Sequence, residues 1–147
     1  ACVLAEEIGR SLAPVPLMST LAAIEALLIA GTDAQQAAWL PRLAGGEAVG
    51  CIAWAEGSNS PARMPATTLA GGTLQGSKSP VIDGLVATLA IVTVATPQGP
   101  AMAIADLAGT TRERQDTLDL VRPSARITFA GTPAEALGTA AHPATRR

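Results

Sequence analysis

The sequence predicts an α+β chain in which an N-terminal helical segment is followed by a small antiparallel β-barrel domain. Two observations point there. Up to Gly46, apolar residues recur three and four positions apart, with proline, glycine and capping residues between the runs. Beyond Gly50 the apolar runs shorten, fill with Val, Ile, Leu and Thr, and are separated by Gly-Gly and Pro-Gln-Gly turn signals. The 147 residues divide accordingly into a helical domain over 1–48, a β-barrel domain over 49–138 and a tail over 139–147.

Val3, Leu4, Ile8 and Leu12 share one face of a first helix, opposite Glu6, Glu7 and Arg10. Pro14 and Pro16 end it, because proline has no N–H and disfavours helical geometry in the residue before it. A second helix is expected from a cap at Ser19 or Thr20 to Ile29, with Leu17, Leu21, Ile24, Leu27 and Leu28 as its apolar face and Gly31 as the C′ residue that closes it. Thr32-Asp33-Ala34-Gln35 has the form of a capping box and opens a third helix carrying Ala37, Trp39, Leu40 and Leu43. Pro41 is expected to kink its last turn before Gly45-Gly46 releases the chain. Strands follow at 50–55, at 67–70 and 73–75 around Gly71-Gly72, at 85–95 and 101–107 around Pro97-Gln98-Gly99, and at 126–129. Short strands with turn signals between them fit an antiparallel barrel or sandwich.

Composition excludes several classes of function. Hydrophobic residues make up 48% of the chain and charged residues 15%, which is incompatible with disorder. The net charge is −2 and the only clustered basic residues are Arg146 and Arg147, so no nucleic-acid partner is expected. The longest apolar run, 21–30, is broken by Glu25 and is about half the length a bilayer crossing needs, so no membrane association is expected. The N-terminal stretch has no basic leader and carries Glu6 and Glu7, which predicts a cytoplasmic location. Cys2 and Cys51 read as reduced, buried small hydrophobes. With His142 as the single histidine, no histidine triad and no two-histidine metal site can form within these residues, so no metal ligand is assigned.

Four segments, in order, resemble the acyl-CoA dehydrogenase family. EEIGRSLAPVPL (6–17) looks like the corresponding stretch of many bacterial members. GTDAQQAAWLPRLAGGEAVGCIAWAE (31–56) resembles the family's G-T-x-x-Q-K-x-x-x-L-P-x-L-A-x-G-E and the strand that follows it. GTLQGSKSPVIDG (72–84) resembles the hairpin L-x-G-x-K-x-W-I-T-N-G, and PAEALG (133–138) the V-P-x-E-N-L-L-G that closes the family's β domain. The resemblance implies a middle β-barrel domain between an N-terminal helical domain and a C-terminal four-helix bundle, the bundle lying outside this chain. It also implies an FAD-dependent α,β-desaturation of an acyl-CoA substrate, an electron-transfer acceptor and a homo- or hetero-oligomer. The family's catalytic glutamate belongs to the bundle, so none of Glu6, Glu7, Glu25, Glu47, Glu56, Glu113 and Glu135 is assigned as catalytic.

The cofactor-binding candidates carried over are Trp54, Ala55, Pro80 and Ile82. Where the family has T-E-P-G, with a hydroxyl and amides on the flavin pyrimidine, this chain has Ala55-Glu56-Gly57. Where it has W-I-T, a ring beside the isoalloxazine and a hydroxyl toward N5, the residues are Pro80, Val81 and Ile82. Trp54 is either a substitute stacking ring or a core tryptophan. Ser60, and next Ser58, correspond to the serine that touches the acyl-CoA pantetheine, or are ordinary turn residues. Lys78, the only lysine, is read as a solvated hairpin residue or a contact to a CoA phosphate, and Arg122 and Arg126 as surface partners of Asp116 and Asp119. Two functions follow: part of an FAD-dependent acyl-CoA dehydrogenase, or a non-catalytic or half-catalytic subunit of a hetero-oligomeric one that does not bind FAD alone.

Overall fold

A computed structural model describes residues 2–57, 64–119 and 121–138. Three helices come first: α1 (Cys2–Ser11), α2 (Leu17–Ala30) and α3 (Asp33–Ala44). Seven strands follow: β1 (Gly50–Ala53), β2 (Thr68–Ala70), β3 (Thr73–Ile82), β4 (Leu89–Thr96), β5 (Gly99–Asp106), β6 (Thr111–Gln115) and β7 (Ser124–Ala136).

Helix α2 begins earlier than the sequence suggests. Pro16 is its N-cap residue and makes no side-chain cap, so Ser19 and Thr20 lie inside the first turn. Their hydroxyls are used elsewhere: Ser19 Oγ donates to the carboxylate of Asp83, and Thr20 Oγ1 accepts the Gly50 N–H at 3.3 Å. Gly31 ends the helix, but as its C-cap in an extended conformation and not as a left-handed C′ residue. A Cβ there would lie 2.5 Å from the Leu27 carbonyl oxygen, so closeness rather than handedness favours glycine. The capping box on α3 forms as expected, Thr32 Oγ1 accepting the Gln35 N–H at 3.2 Å and Gln35 Oε1 accepting the Thr32 N–H at 3.1 Å. The helix then runs through Pro41 to Ala44.

The strands form one sheet that closes on itself. β4 pairs with β5, β5 with β7, β7 with β3, β3 with β2, and β2 returns to β4 through Thr68 and Ala95. β1 lies on the first half of β4, and β6 on the first half of β7. The barrel is mixed, not wholly antiparallel, because β1–β4 and β2–β4 are parallel. β6 has no counterpart among the strands expected from the sequence, and β7, at Ser124–Ala136, begins slightly before 126 and runs well beyond 129. Residues 85–88, expected to begin a strand, instead complete a turn in which the Val86 and Ala87 N–H groups donate to the Asp83 carbonyl, and lead into β4.

The interior is filled by Leu74, Val81, Val92, Val94, Ile127 and Phe129 with small residues between them. A second cluster joins helices to barrel: Ala23 and Leu27 of α2 and Leu43 of α3 pack against Leu89, Ile91 and Ile104. Cys51 is buried, as expected, and burial pushes its thiol up to about 12 despite Arg112 nearby, but Cys2 is exposed. Helix α1 buries none of its residues. Among the described residues, no buried side-chain nitrogen or oxygen lacks a hydrogen-bond partner, and no helix is long and apolar enough to cross a membrane.

Candidate functional site

After β1 the chain runs alongside β3. The Ser79 N–H donates to the Ala55 carbonyl at 2.8 Å and the Gly57 N–H to the Ser79 carbonyl at 2.6 Å, a short parallel bridge. On its other edge β3 bulges: Lys78 pairs with Ile127 and Val81 with Ala125, so Ser79 and Pro80 together oppose one residue of β7. A proline is tolerated there because the bulge has already interrupted the ladder. The segment carrying Trp54 and Ala55 thereby runs along the part of β3 that carries Pro80, and Ile82 follows at the end of the same strand. Trp54 is 48% exposed and is therefore not a core tryptophan. Ala55 is buried, whereas Pro80 and Ile82 are exposed. Ser58 and Ser60 lie outside the described residues.

Beneath this wall sits a polar network the sequence reading missed. Lys78 is 0% exposed, not a solvated hairpin lysine and not a residue open to a phosphate. Its ammonium donates to Glu56 Oε1 at 2.7 Å and to Thr93 Oγ1 at 2.9 Å. The Glu56 carboxylate also accepts the Ala66 N–H at 2.7 Å, the Thr67 N–H at 2.9 Å and the Thr67 hydroxyl at 2.8 Å. Burial alone would raise the Glu56 carboxyl, but these four donors, Lys78 first, outweigh it and hold the group down at about 2. Burial lowers Lys78, and Glu56 opposes that shift. The two shifts pull in opposite senses for the pair. Four donors on the carboxylate against two acceptors on the ammonium explain why, and the 2.7 Å contact is that of a charged pair. An ionised carboxylate occupied in this way is not a proton-accepting base. Gly76 makes room for the network: its φ is +132°, and a Cβ there would lie 2.8 Å from Thr67 Cα.

One signal for Lys78 was present in the sequence. Lys78 has the same strand parity as Leu74, with Gly76 between them, which is the inward face. Its partner Glu56 lies 22 positions away and carries no such local mark.

Arg122 pairs with Asp83 at 2.7 Å and not with Asp116 or Asp119. The Asp119 carboxylate instead caps the Val121 and Arg122 N–H groups. Arg126 stands with Ser77, Ser79, Thr128 and Gly57 at a cleft of about 620 Å³ beside the wall. No group of histidine, cysteine and acidic residues gathers as a metal site among the described residues.

The resemblance implies a flavin at this wall. Among Trp54, Ala55, Pro80 and Ile82 the single side-chain donor is the indole N–H, and Pro80 lacks even a backbone N–H. An isoalloxazine edge carries several polar atoms, each worth about 1–2 kcal/mol when hydrogen-bonded. These residues do not by themselves fit that edge.

The fold and this wall define a helical-plus-barrel module, and known proteins show which one. Residues 1–47 match the family model described as "Acyl-CoA dehydrogenase, N-terminal domain". A variant of the Tcur3481-Tcur3483 steroid ACAD superposes with TM-score 0.79 at 34% identity, over 95% of this chain and 40% of that chain. A glutaryl-CoA dehydrogenase from Mycobacterium smegmatis in complex with FADH2 gives TM-score 0.66 at 25% identity, over 79% of this chain and 32% of that one. Butyryl-CoA dehydrogenase from Megasphaera elsdenii gives TM-score 0.69 at 21% identity over 79% of this chain and 35% of that one, a likeness of fold alone. No curated protein sequence matches directly. The chain belongs to the acyl-CoA dehydrogenase family, and it spans well under half the length of these relatives.

Proposed function

We propose that this chain is part of an FAD-dependent acyl-CoA dehydrogenase, and that within a hetero-oligomer it is the subunit that does not hold FAD by itself. The first half of the reading is supported by the 34% identity to a steroid ACAD across 95% of the chain. The observation that carries the second half is the wall, on which the exposed Pro80 and Ile82 offer alkyl groups to a ligand whose edge is polar, and Ala55 is buried without a hydroxyl. The name of that relative joins two designations, which fits an assembly of two different chains.

In this reading the missing donors come from the partner chain. Trp54 supplies a flat surface, and Pro80 and Ile82 a mostly apolar contact. Ser60, and next Ser58, is proposed from sequence order alone as the contact to the pantetheine arm. Desaturation removes two protons and two electrons from the acyl-CoA, so an electron acceptor belongs to the proposal, and the base must come from residues other than Glu56. A thioester with a steroid-borne acyl chain is the first substrate to try.

The test is the visible spectrum and acyl-CoA desaturation of the full polypeptide carrying this chain, purified alone and co-expressed with a partner subunit. Flavin absorbance and turnover are expected only with the partner. Stoichiometric FAD on the polypeptide alone would overturn the second half, and absence of desaturation in every combination the first.

A further inference from the structure

We propose that Lys78 is the positioning residue of the wall: from inside the barrel its ammonium group fixes Glu56 and, through Thr93, the Trp54 carbonyl, and so sets where residues 54–56 stand against β3. The inference rests on the reading above for what the wall contacts, but not for how the wall is held.

The geometry is more specific than the filling of space. An apolar side chain of similar volume would fill the same place without the cost of taking an ammonium group out of water. The ammonium instead reaches two acceptors on two different segments, Glu56 Oε1 at 2.7 Å and Thr93 Oγ1 at 2.9 Å. These bracket the wall. The Thr93 hydroxyl donates onward to the Trp54 carbonyl at 3.2 Å, so one chain of hydrogen bonds ends on Trp54. The other passes through the Glu56 carboxylate to the Ala66 and Thr67 N–H groups at 2.7 and 2.9 Å, where the chain approaches β2. One cation thus ties β3, β4, the 54–57 segment and the entry to β2. The backbone pairing at Ser79 fixes Ala55 and Gly57 along one line, and the Lys78 chains fix the segment across that line. Thr93 is available because β4 holds it opposite Met102 with its hydroxyl toward Trp54.

The experiment is fluorine NMR of the full polypeptide, with its partner chain where one is needed, labelled with fluorotryptophan. The Trp54 and Trp39 resonances are assigned by their loss in Trp54→Phe and Trp39→Phe. Lys78→Met and Glu56→Gln are each expected to move the Trp54 resonance by more than its linewidth while Trp39, on α3, stays in place. The double variant is expected to shift it no further than the larger single one, because the two groups act as one unit. A folded Lys78→Met protein with Trp54 unmoved, or with Trp39 displaced equally, overturns the proposal. Should Lys78→Met fail to fold, Thr93→Val keeps the ion pair and removes the link to Trp54. Its Trp54 resonance is expected to move, and an unmoved one overturns the proposal. The readout needs neither flavin nor substrate, so an assembly inactive on acyl-CoA would remove the functional reading and leave the positioning result standing.

Discussion

Two titratable residues, Glu56 and Lys78, are expected to make the stability of this protein sensitive to acid. An ion pair with one member wholly inside a barrel is stabilising only while both charges keep their partners. The Glu56 carboxyl is held at about 2 against an ordinary 4.5, so its contribution is complete above the ordinary value and disappears as pH falls toward the folded one. The size of that contribution is on the order of 3 kcal/mol, offset by the burial of Lys78. Urea midpoints measured from pH 6 down to 2 are therefore expected to fall in the acid range. In Lys78→Met the loss of the ammonium donor, with burial unchanged, raises the Glu56 carboxyl toward its ordinary value, so the fall is expected to become smaller and to be complete at a higher pH. Parallel pH curves for the two proteins would show that the pair does not govern acid stability.

At the scale of elements, Gln35 ties the helices to the barrel. Its side-chain oxygen closes the capping box of α3 and also accepts the Gly138 N–H at 2.9 Å, while its Nε2 donates to the Ala136 carbonyl at 2.9 Å. Gln35→Ala is expected to cost about 2–3 kcal/mol in urea unfolding and Thr32→Ala about 1 kcal/mol. The two costs should combine to less than their sum, since both variants break the same cap. Features of this local kind were legible in the sequence: the capping box, and the two-residue Gly71-Gly72 turn with both φ values positive. What was not legible depends on residues far apart. β6 reads Thr-Arg-Glu-Arg-Gln, with no apolar alternation, and becomes a strand because the edge of β7 pairs with it. The parallel pairing of β1 on β4 leaves no mark in either segment. The candidate site divides in the same way. The alkyl character of Ala55, Pro80 and Ile82 can be read directly, whereas the pairing of Lys78 with Glu56 and of Arg122 with Asp83 spans 22 and 39 positions.

For the molecule as a whole, the barrel is complete in its own core but the helices are not. Val3, Leu4 and Leu12 of the α1 region and Met18, Leu21, Leu28 and Ile29 of α2 are exposed, although the sequence placed several of them on buried faces. Exposed apolar side chains drive association where they join into a surface of a few hundred Å². Residues 1–147 produced as a separate piece are expected to bind a hydrophobic dye and to elute above the 14.7 kDa of one chain. A dye-dark monomer would show that this surface is tolerated in water. The Gln35 bonds to Ala136 and Gly138 also carry a consequence for how the chain is made. These groups are 101 and 103 positions apart, so on a ribosome adding about 5–20 residues per second the amide of Gln35 waits roughly 5–20 s for the carbonyl it will bind. Through that interval α3 has its own cap, and β4 and β5 to pack on once they emerge, but not its bonds to β7. The bonds from Gln35 to the end of β7 therefore form only after every other strand of the barrel has emerged.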